Sequence, residues 1–98
     1  MAPSPPVVAL QWYHSGEYPT LLKLFSDPHL MPATYAEWLE RAEAIELQFQ
    51  KAGFAVARIW IRPGPFAAWC KERDVSPDQR ARLTFANEAA RHHPPRPR

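Results

Sequence analysis

The clearest pattern in the chain is a run of apolar residues at helical spacing that begins after Thr34 and stops before Gly53. Thr34 and Glu37 fit a capping box, in which the two side chains bond the first unpaired amides of a helix. Gly53 follows the last apolar position, where a left-handed cap residue belongs. The pattern predicts one long capped helix whose narrow apolar stripe is formed by Trp38, Ala42, Ile45, Phe49 and Ala52.

Residues 54–62 alternate with a period of two, the pattern of a β-strand with one apolar and one mixed face. A strand needs a partner for its backbone groups, and residues 7–13 are the other candidate strand. Because helices intervene between the two strands, we expect parallel pairing. The apolar face carries Ala55, Ala57, Ile59 and Ile61, and the mixed face carries Phe54, Val56, Arg58, Trp60 and Arg62.

Three shorter segments also have helical patterns. They are residues 19–25, residues 65–73, and a segment that starts with a second capping box at Ser76 and runs to about Arg91. The predicted fold class is α+β, a mostly helical small domain with a long capped helix and a small two-stranded sheet. Its expected buried residues include Trp38, Ile45, Phe49, Ile59, Trp69 and Phe85.

Length and composition predict a single domain, since the chain has 98 residues and 46% of them are hydrophobic. We expect that domain at residues 7–91, between a flexible Pro-rich lead at residues 1–6 and a disordered, basic, Pro-rich tail at residues 92–98. A single cysteine excludes an internal disulfide and is typical of a reducing compartment. The sequence has the pattern of neither a signal peptide nor a membrane span, so we expect a cytoplasmic protein with no membrane partner.

The charges are divided unevenly between the two halves of the chain. Residues 1–53 carry three Lys/Arg and six Asp/Glu, a net charge of −3, whereas residues 54–98 carry nine and four, a net charge of +5. Such asymmetry indicates either a nucleic-acid surface or two halves that neutralise each other in the fold. The second interpretation needs nothing beyond an ordinary fold, and we favour it.

Arg58, Trp60 and Arg62 alternate on one face of the predicted strand. Proteins that bind single-stranded nucleic acid use such basic and aromatic platforms, on which bases stack. In the structural alternative, Trp60 packs under a helix while the arginines lie across apolar neighbours or pair with the acidic long helix. The alternative is favoured because one ring is a weak platform, and the carboxylates available on that helix are Glu40, Glu43 and Glu46.

Arg82 lies near the middle of the apolar side of the last helix, one turn after Asp78. An unpaired buried charge is costly, so a half-buried ion pair between these two residues is favoured over an anion site. Residues 66–91 have the helix–turn–helix order of many DNA-binding proteins. Asp74 in the turn and Arg80 early in the second helix weaken that interpretation.

Candidate catalytic residues are few. Cys70 would need a nearby base and an orienting group to act as a nucleophile, and the histidines are distant from it in sequence. The adjacent pair His92 and His93 does not make a metal site by itself. With three glycines in the chain, no Gly-rich phosphate loop is formed. We therefore expect no enzymatic activity, no cofactor and no bound metal.

Three short motifs together resemble those of small uncharacterised bacterial proteins. The motifs are Asp27-Pro-His-Leu-Met-Pro-Ala-Thr-Tyr-Ala-Glu-Trp-Leu, Gly53-Phe-x-Val and Phe66-Ala-Ala-Trp-Cys. The resemblance covers roughly residues 20–90, and its positions are helix caps and core residues. It implies no particular activity.

We expect a non-enzymatic interaction or helper protein that acts as a homodimer, with an unidentified protein as any further partner. A two-stranded sheet leaves an edge that a second subunit would cover. Leu47 supports this expectation, because it lies opposite the apolar stripe of the long helix. The candidate interaction surface comprises Leu47, Arg58, Trp60, Arg62 and Arg82.

Two alternatives stay open at this stage. The first is nucleic-acid binding by the basic C-terminal half, through Arg58, Arg62, Arg80 and Arg82. The second is a small-ligand binder, with a pocket between the long helix and the sheet that aromatic side chains line.

Overall fold

The computed structural model describes residues 4–92, and within them a two-stranded parallel sheet packs with four α-helices. The predicted α+β class, with one long capped helix and a small sheet, is confirmed. The predictions for residues 1–3 and 93–98 lie outside the described residues. The strands and α-helices in chain order are β1 (Val7–Trp12), α1 (Tyr18–Leu24), α2 (Tyr35–Lys51), β2 (Ala55–Trp60), α3 (Pro63–Arg73) and α4 (Gln79–His92).

Both ends of α2 are fixed by local hydrogen bonds. At the start, the Thr34 Oγ1 accepts a hydrogen bond from the Glu37 amide at 3.2 Å, as the capping box predicts. At the end, Gly53 takes a φ of 95°, and the Phe54 amide donates to the Phe49 carbonyl at 3.0 Å. This is a Schellman motif, and the Phe49 and Phe54 rings close it with an edge-to-face contact at 5.5 Å.

The two strands pair in parallel along their whole length, from the pair Val7 and Ala55 to the pair Trp12 and Trp60. The parallel arrangement predicted from the intervening helices is therefore correct. Because aligned residues of a parallel pair point to the same face, Leu10, Trp12, Arg58 and Trp60 share one face of the sheet.

Two helices, α2 and α4, lie close to the sheet. The face that carries Arg58 is covered by α2, since the Arg58 guanidinium bonds the Glu46 carboxylate on that helix. The last helix, α4, also approaches both strands. The small side chains of Ala9 and Ala57 on the opposite face allow a helix backbone to come near.

Six aromatic residues are buried in the core, and four of them precede α2 in the chain. Trp12 at the end of β1 meets Trp38 of α2 edge-on, with ring centroids 5.3 Å apart. Phe66 of α3 meets Phe85 of α4 in the same geometry at 5.5 Å. Such pairs stabilise a small core beyond the area that they bury. The largest fully buried side chains are those of Trp12, Tyr13, Tyr18, Leu21, Ile61 and Phe66.

The predicted core was largely misplaced. Of the six residues expected to be buried, Trp38 is buried, whereas Ile45 is 45% exposed. The apolar stripe of α2 exists, but a sheet of two strands is too narrow to cover it, so only its first half lies on the core. The other four residues are half-buried: Phe49, Ile59, Trp69 and Phe85.

The start of α4 corrects a second prediction. The helix begins at Gln79, so Ser76 does not cap it. Asp78 is the cap residue, because its Oδ1 accepts a hydrogen bond from the Ala81 amide at 2.9 Å. The Gln79 amide donates instead to the Oδ2 of Asp27 at 2.9 Å, which ties the start of α4 to the turn after α1.

Candidate functional site

The outer edge of β1 is open. In a parallel ladder, alternate residues of a strand turn both backbone groups toward the neighbouring strand. The carbonyls of Pro6 and Trp12 both accept hydrogen bonds from the β2 side at 2.9 Å, so the even-numbered residues face β2. The backbone groups of Ala9 and Gln11 therefore point outward, and no described residue bonds to them.

A groove of about 340 Å³ runs along this open edge, and we call it the β1 groove. Residues 9–13 line its floor. The wall on one side belongs to α2 and the wall on the other to the start of α4, so an extended chain in the groove would lie between two helices. The wall residues used below are Trp38, Arg41 and Ile45 of α2, and Gln79, Arg82 and Leu83 of α4.

Exposed apolar side chains gather around the β1 groove. Leu30 is 56% exposed, Ile45 45% and Leu83 49%, and all three line the groove. They are three of the seven large apolar side chains that are most exposed among the described residues. Single exposed apolar residues are ordinary, but their concentration at one groove is typical of a binding surface.

Buried aromatic side chains and hydrogen bonds support the floor of the groove. The Tyr13 and Trp38 rings lie 4.7 Å apart, and both are buried. The Tyr35 hydroxyl donates to the Tyr13 carbonyl at 3.1 Å, and the Tyr18 hydroxyl donates to the Pro32 carbonyl at 2.6 Å. Burial raises the pKa of the Tyr13 phenol, so this hydroxyl stays neutral and serves as packing.

A buried ion pair supports the α4 wall. The Arg82 Nη1 donates to the Asp27 Oδ1 at 2.7 Å, and the Arg82 side chain is 3% exposed. Burial alone would raise the pKa of the Asp27 carboxyl, but hydrogen bonds from Arg82 and the Gln79 amide hold it below its usual range. The predicted pairing of Arg82 with Asp78 is therefore wrong. Asp78 is occupied with the helix cap, and Asp27 comes from a distant part of the chain.

Arg41 gives the α2 wall a positive charge. Its side chain is exposed, lines the groove and forms no ion pair with any described residue. Arg82 is the other charged residue in the lining, and no acidic residue of the described chain is part of it. Because Asp27 neutralises Arg82, Arg41 is the exposed, unpaired charge in the described lining, and it lies beside apolar walls.

The described residues offer little for covalent or metal chemistry. Burial raises the pKa of the Cys70 thiol, and the nearby Asp78 carboxylate raises it further, so the reactive thiolate is disfavoured. Within residues 4–92, no three side chains of His, Cys, Asp or Glu converge as a metal site requires.

The arginines predicted on β2 and just after it are held in ion pairs. Arg58 makes two hydrogen bonds of 2.7 Å to Glu46, one of the carboxylates expected on the long helix, and its guanidinium lies 3.9 Å from the Trp12 ring centroid. Arg62 bonds the Glu17 carboxylate at 2.8 Å. The hydrogen bonds from Arg58 and Arg62 lower the pKa of the Glu46 and Glu17 carboxyls.

The other predicted surface residues are not gathered into one site. Trp60 is 44% exposed and stacks on the His14 ring with centroids 4.1 Å apart, so the expectation that a helix covers it is wrong. On the same face of the sheet, α2 instead contacts Arg58 and Trp12. Leu47 is exposed but lies outside the β1 groove, whereas Arg82 lines it.

Sequence reasoning missed most of the β1 groove. The sequence has no pattern that marks Ala9, Gln11, Arg41 or Leu83 as groove residues. The direction in which a backbone group points cannot be read from the residue type. One hint was present. The run at residues 7–13 is short and apolar, and the chain offers it one partner strand, so one of its edges has no predicted neighbour.

No protein-family model matches the sequence, and neither a curated protein nor a solved structure shows significant similarity to it. Across residues 4–92, no helix has both the length and the apolar character that a bilayer crossing demands.

Proposed function

We propose that this chain is a non-enzymatic interaction protein, and that it binds an extended segment of polypeptide along the open edge of β1. The observation that carries the proposal is the outward orientation of the Ala9 and Gln11 backbone groups at the floor of a groove with apolar walls. An added strand would extend the sheet from two strands to three.

The groove supplies both elements of strand addition. Backbone hydrogen bonds to Ala9 and Gln11 give affinity without regard to sequence, and the two walls contact alternate side chains of the added strand. Leu30, Ile45 and Leu83 are about half exposed. Covering each of them would contribute roughly 1 kcal/mol to the free energy of binding.

A homodimer is the second candidate. If β1 of a second copy supplied the added strand, two-fold pairing would make a continuous four-stranded sheet. The exposed position of Ile45 and Leu83 favours it, because a second copy paired at this edge would cover side chains that line the groove. This arrangement uses the same edge of β1.

The other two functions have weaker support. Three of the four arginines proposed for nucleic acid, Arg58, Arg62 and Arg82, are neutralised by carboxylates, and Arg80 forms no ion pair with a described residue. A small ligand could enter the β1 groove, but its volume is near the lower end of ligand sites. The groove is also open along a row of backbone groups, which suits a strand better.

The test uses two proline variants that differ in the edge they block. Ala9→Pro removes an outward amide from β1, and Val56→Pro removes one from the outer edge of β2. Neither amide joins the ladder, so neither variant removes a hydrogen bond within the sheet. Linear peptides selected from a displayed random library on the native chain would be measured by calorimetry against both variants.

We expect Ala9→Pro to abolish binding of the selected peptides and Val56→Pro to leave it unchanged. Circular dichroism checks that both variants are folded. Equal binding by the native chain and Ala9→Pro would overturn strand addition at β1. Loss of binding in Val56→Pro alone would move the site to the other edge.

A further inference from the structure

We infer that the β1 groove selects acidic partners, namely extended segments of another protein in which a carboxylate stands two residues from an apolar side chain. This inference rests on the proposed strand addition and names the chemistry of the strand that is added.

The charge of the groove points to an acid. Arg41 and Arg82 are the charged lining residues in the described part of the chain, and Asp27 already neutralises Arg82. Arg41 is exposed on the α2 wall and forms no ion pair with a described residue. A carboxylate on the incoming strand would complement this charge, whereas a basic side chain would be repelled.

The spacing of the α2 wall defines the pattern. Arg41 and Ile45 are four residues apart on one helix face, which is about 6 Å along the axis. Residues i and i+2 of a strand share one face and lie about 6.6 Å apart. One face of an added strand can therefore place a carboxylate at Arg41 and an apolar side chain at Ile45. Its other face meets Gln79 and Leu83 of α4.

Neither β1 nor residues 93–98 supply such a strand. The sequence of β1 is Val-Val-Ala-Leu-Gln-Trp, which contains no acid, so a second copy would leave Arg41 uncompensated by the pairing strand. Residues 93–98 contain two arginines and no acid, so they do not complement the groove either. The charge of the groove thus favours a different protein over a second copy.

The probes are three seven-residue peptides, blocked at both ends, that differ at one position. The first is Thr-Val-Thr-Glu-Thr-Val-Thr, which places Val, Glu and Val on one face, and the others carry Gln or Lys at the centre. Affinities are measured by calorimetry at low salt on the native chain, on Arg41→Gln, and on Arg80→Gln as the matched control. Arg80 is an exposed arginine of α4 outside the groove.

We expect the Glu peptide to bind roughly two- to fivefold more tightly than the Gln peptide, and the Lys peptide to bind most weakly. Arg41→Gln should remove the preference for Glu without changing the affinity for the Gln peptide, and Arg80→Gln should keep it. High salt should narrow the difference in the native chain.

The failures of the two proposals can be told apart. If Glu and Gln peptides bind equally, or if Arg41→Gln retains the preference, the acidic selectivity is wrong while strand addition stands. Hydrogen exchange of the Ala9 and Gln11 amides is measured with and without peptide. If no peptide binds at about 1 mM and the exchange rates of these amides do not change, strand addition itself is wrong. A mass of twice 11.3 kDa by light scattering, lost in Ala9→Pro, would assign the groove to a second copy and overturn the acidic partner.

Discussion

The two outer edges of the sheet differ in the side chains that surround their backbone groups. The outer edge of β2 belongs to a strand that carries Arg58, locked to Glu46, and Trp60, stacked on His14. The outer edge of β1 presents the backbone of Ala9 and Gln11 between apolar walls. Charged residues on an edge strand discourage unwanted pairing, and an open edge with apolar surroundings invites it. This difference is the reason that the proposed partner strand is placed at β1 and not at β2.

The largest expected effect contrasts the ion pairs near the two edges. Asp27→Ala leaves Arg82 buried without a counter-charge, and we expect a loss of about 3–5 kcal/mol in the free energy of unfolding. Glu46→Ala breaks the more exposed pair with Arg58 and should cost under about 1 kcal/mol. Urea denaturation of both variants measures the contrast, and equal losses would contradict it.

The pH dependence of stability follows from the same buried pair. The pKa of the Asp27 carboxyl is lowered in the folded state, so its ionised form stabilises the fold above its unfolded pKa of about 3.9. That contribution is lost as the pH falls through the lower, folded pKa. Asp27→Asn should therefore be less stable than the native chain at neutral pH and show a flatter decline below pH of about 4, measured by denaturation across the acid range. A parallel decline in both proteins would assign acid unfolding to other carboxyls.

The elements could be predicted from the sequence because their signals are local. Thr34 and Gly53 mark the ends of α2 through contacts within a few residues, and the alternation at residues 54–62 locates β2. Where one local signal competed with another, prediction failed. Ser76 and Asp78 both fit a helix cap, and the choice of Asp78 was settled by the distant Asp27, which takes the Gln79 amide.

The candidate site was less predictable because it depends on tertiary placement. Ile45 continues the apolar stripe of α2 in sequence, yet it faces the groove because the sheet ends at β1. The partner of Arg82 is 55 residues away at Asp27, beyond the reach of helical spacing arguments. Leu83 was placed on the apolar side of α4, and only the packed structure shows that it is 49% exposed.

A smaller effect concerns the helix that forms the second wall of the groove. Asp78→Ala removes the side-chain oxygen that caps α4 and should cost about 1 kcal/mol. Ser76→Ala should leave the urea midpoint unchanged, because the helix starts beyond it. If Ser76→Ala were the more costly of the two, α4 would begin earlier in solution, and the wall near Gln79 would be displaced.

The smallest expected effect on stability comes from substituting two exposed apolar residues of α2, one inside the β1 groove and one outside it. Ile45 and Leu47 lie on the same helix and are 45% and 50% exposed, but Ile45 lines the β1 groove and Leu47 does not. Glutamine has good helix propensity, so Ile45→Gln and Leu47→Gln should each change the free energy of unfolding by less than about 0.5 kcal/mol. We therefore expect neither side chain to contribute substantially to the free energy of unfolding.

Their effects on binding should differ. Ile45→Gln exposes a polar group where the partner strand needs an apolar wall, so peptides that bind the native chain should bind about fivefold more weakly, a loss of roughly 1 kcal/mol. Leu47→Gln, the matched control, should bind them as the native chain does. A large loss of stability in Ile45→Gln would mean that Ile45 belongs to the core after all. Equal weakening in both variants would mean that the partner contacts α2 beyond the β1 groove.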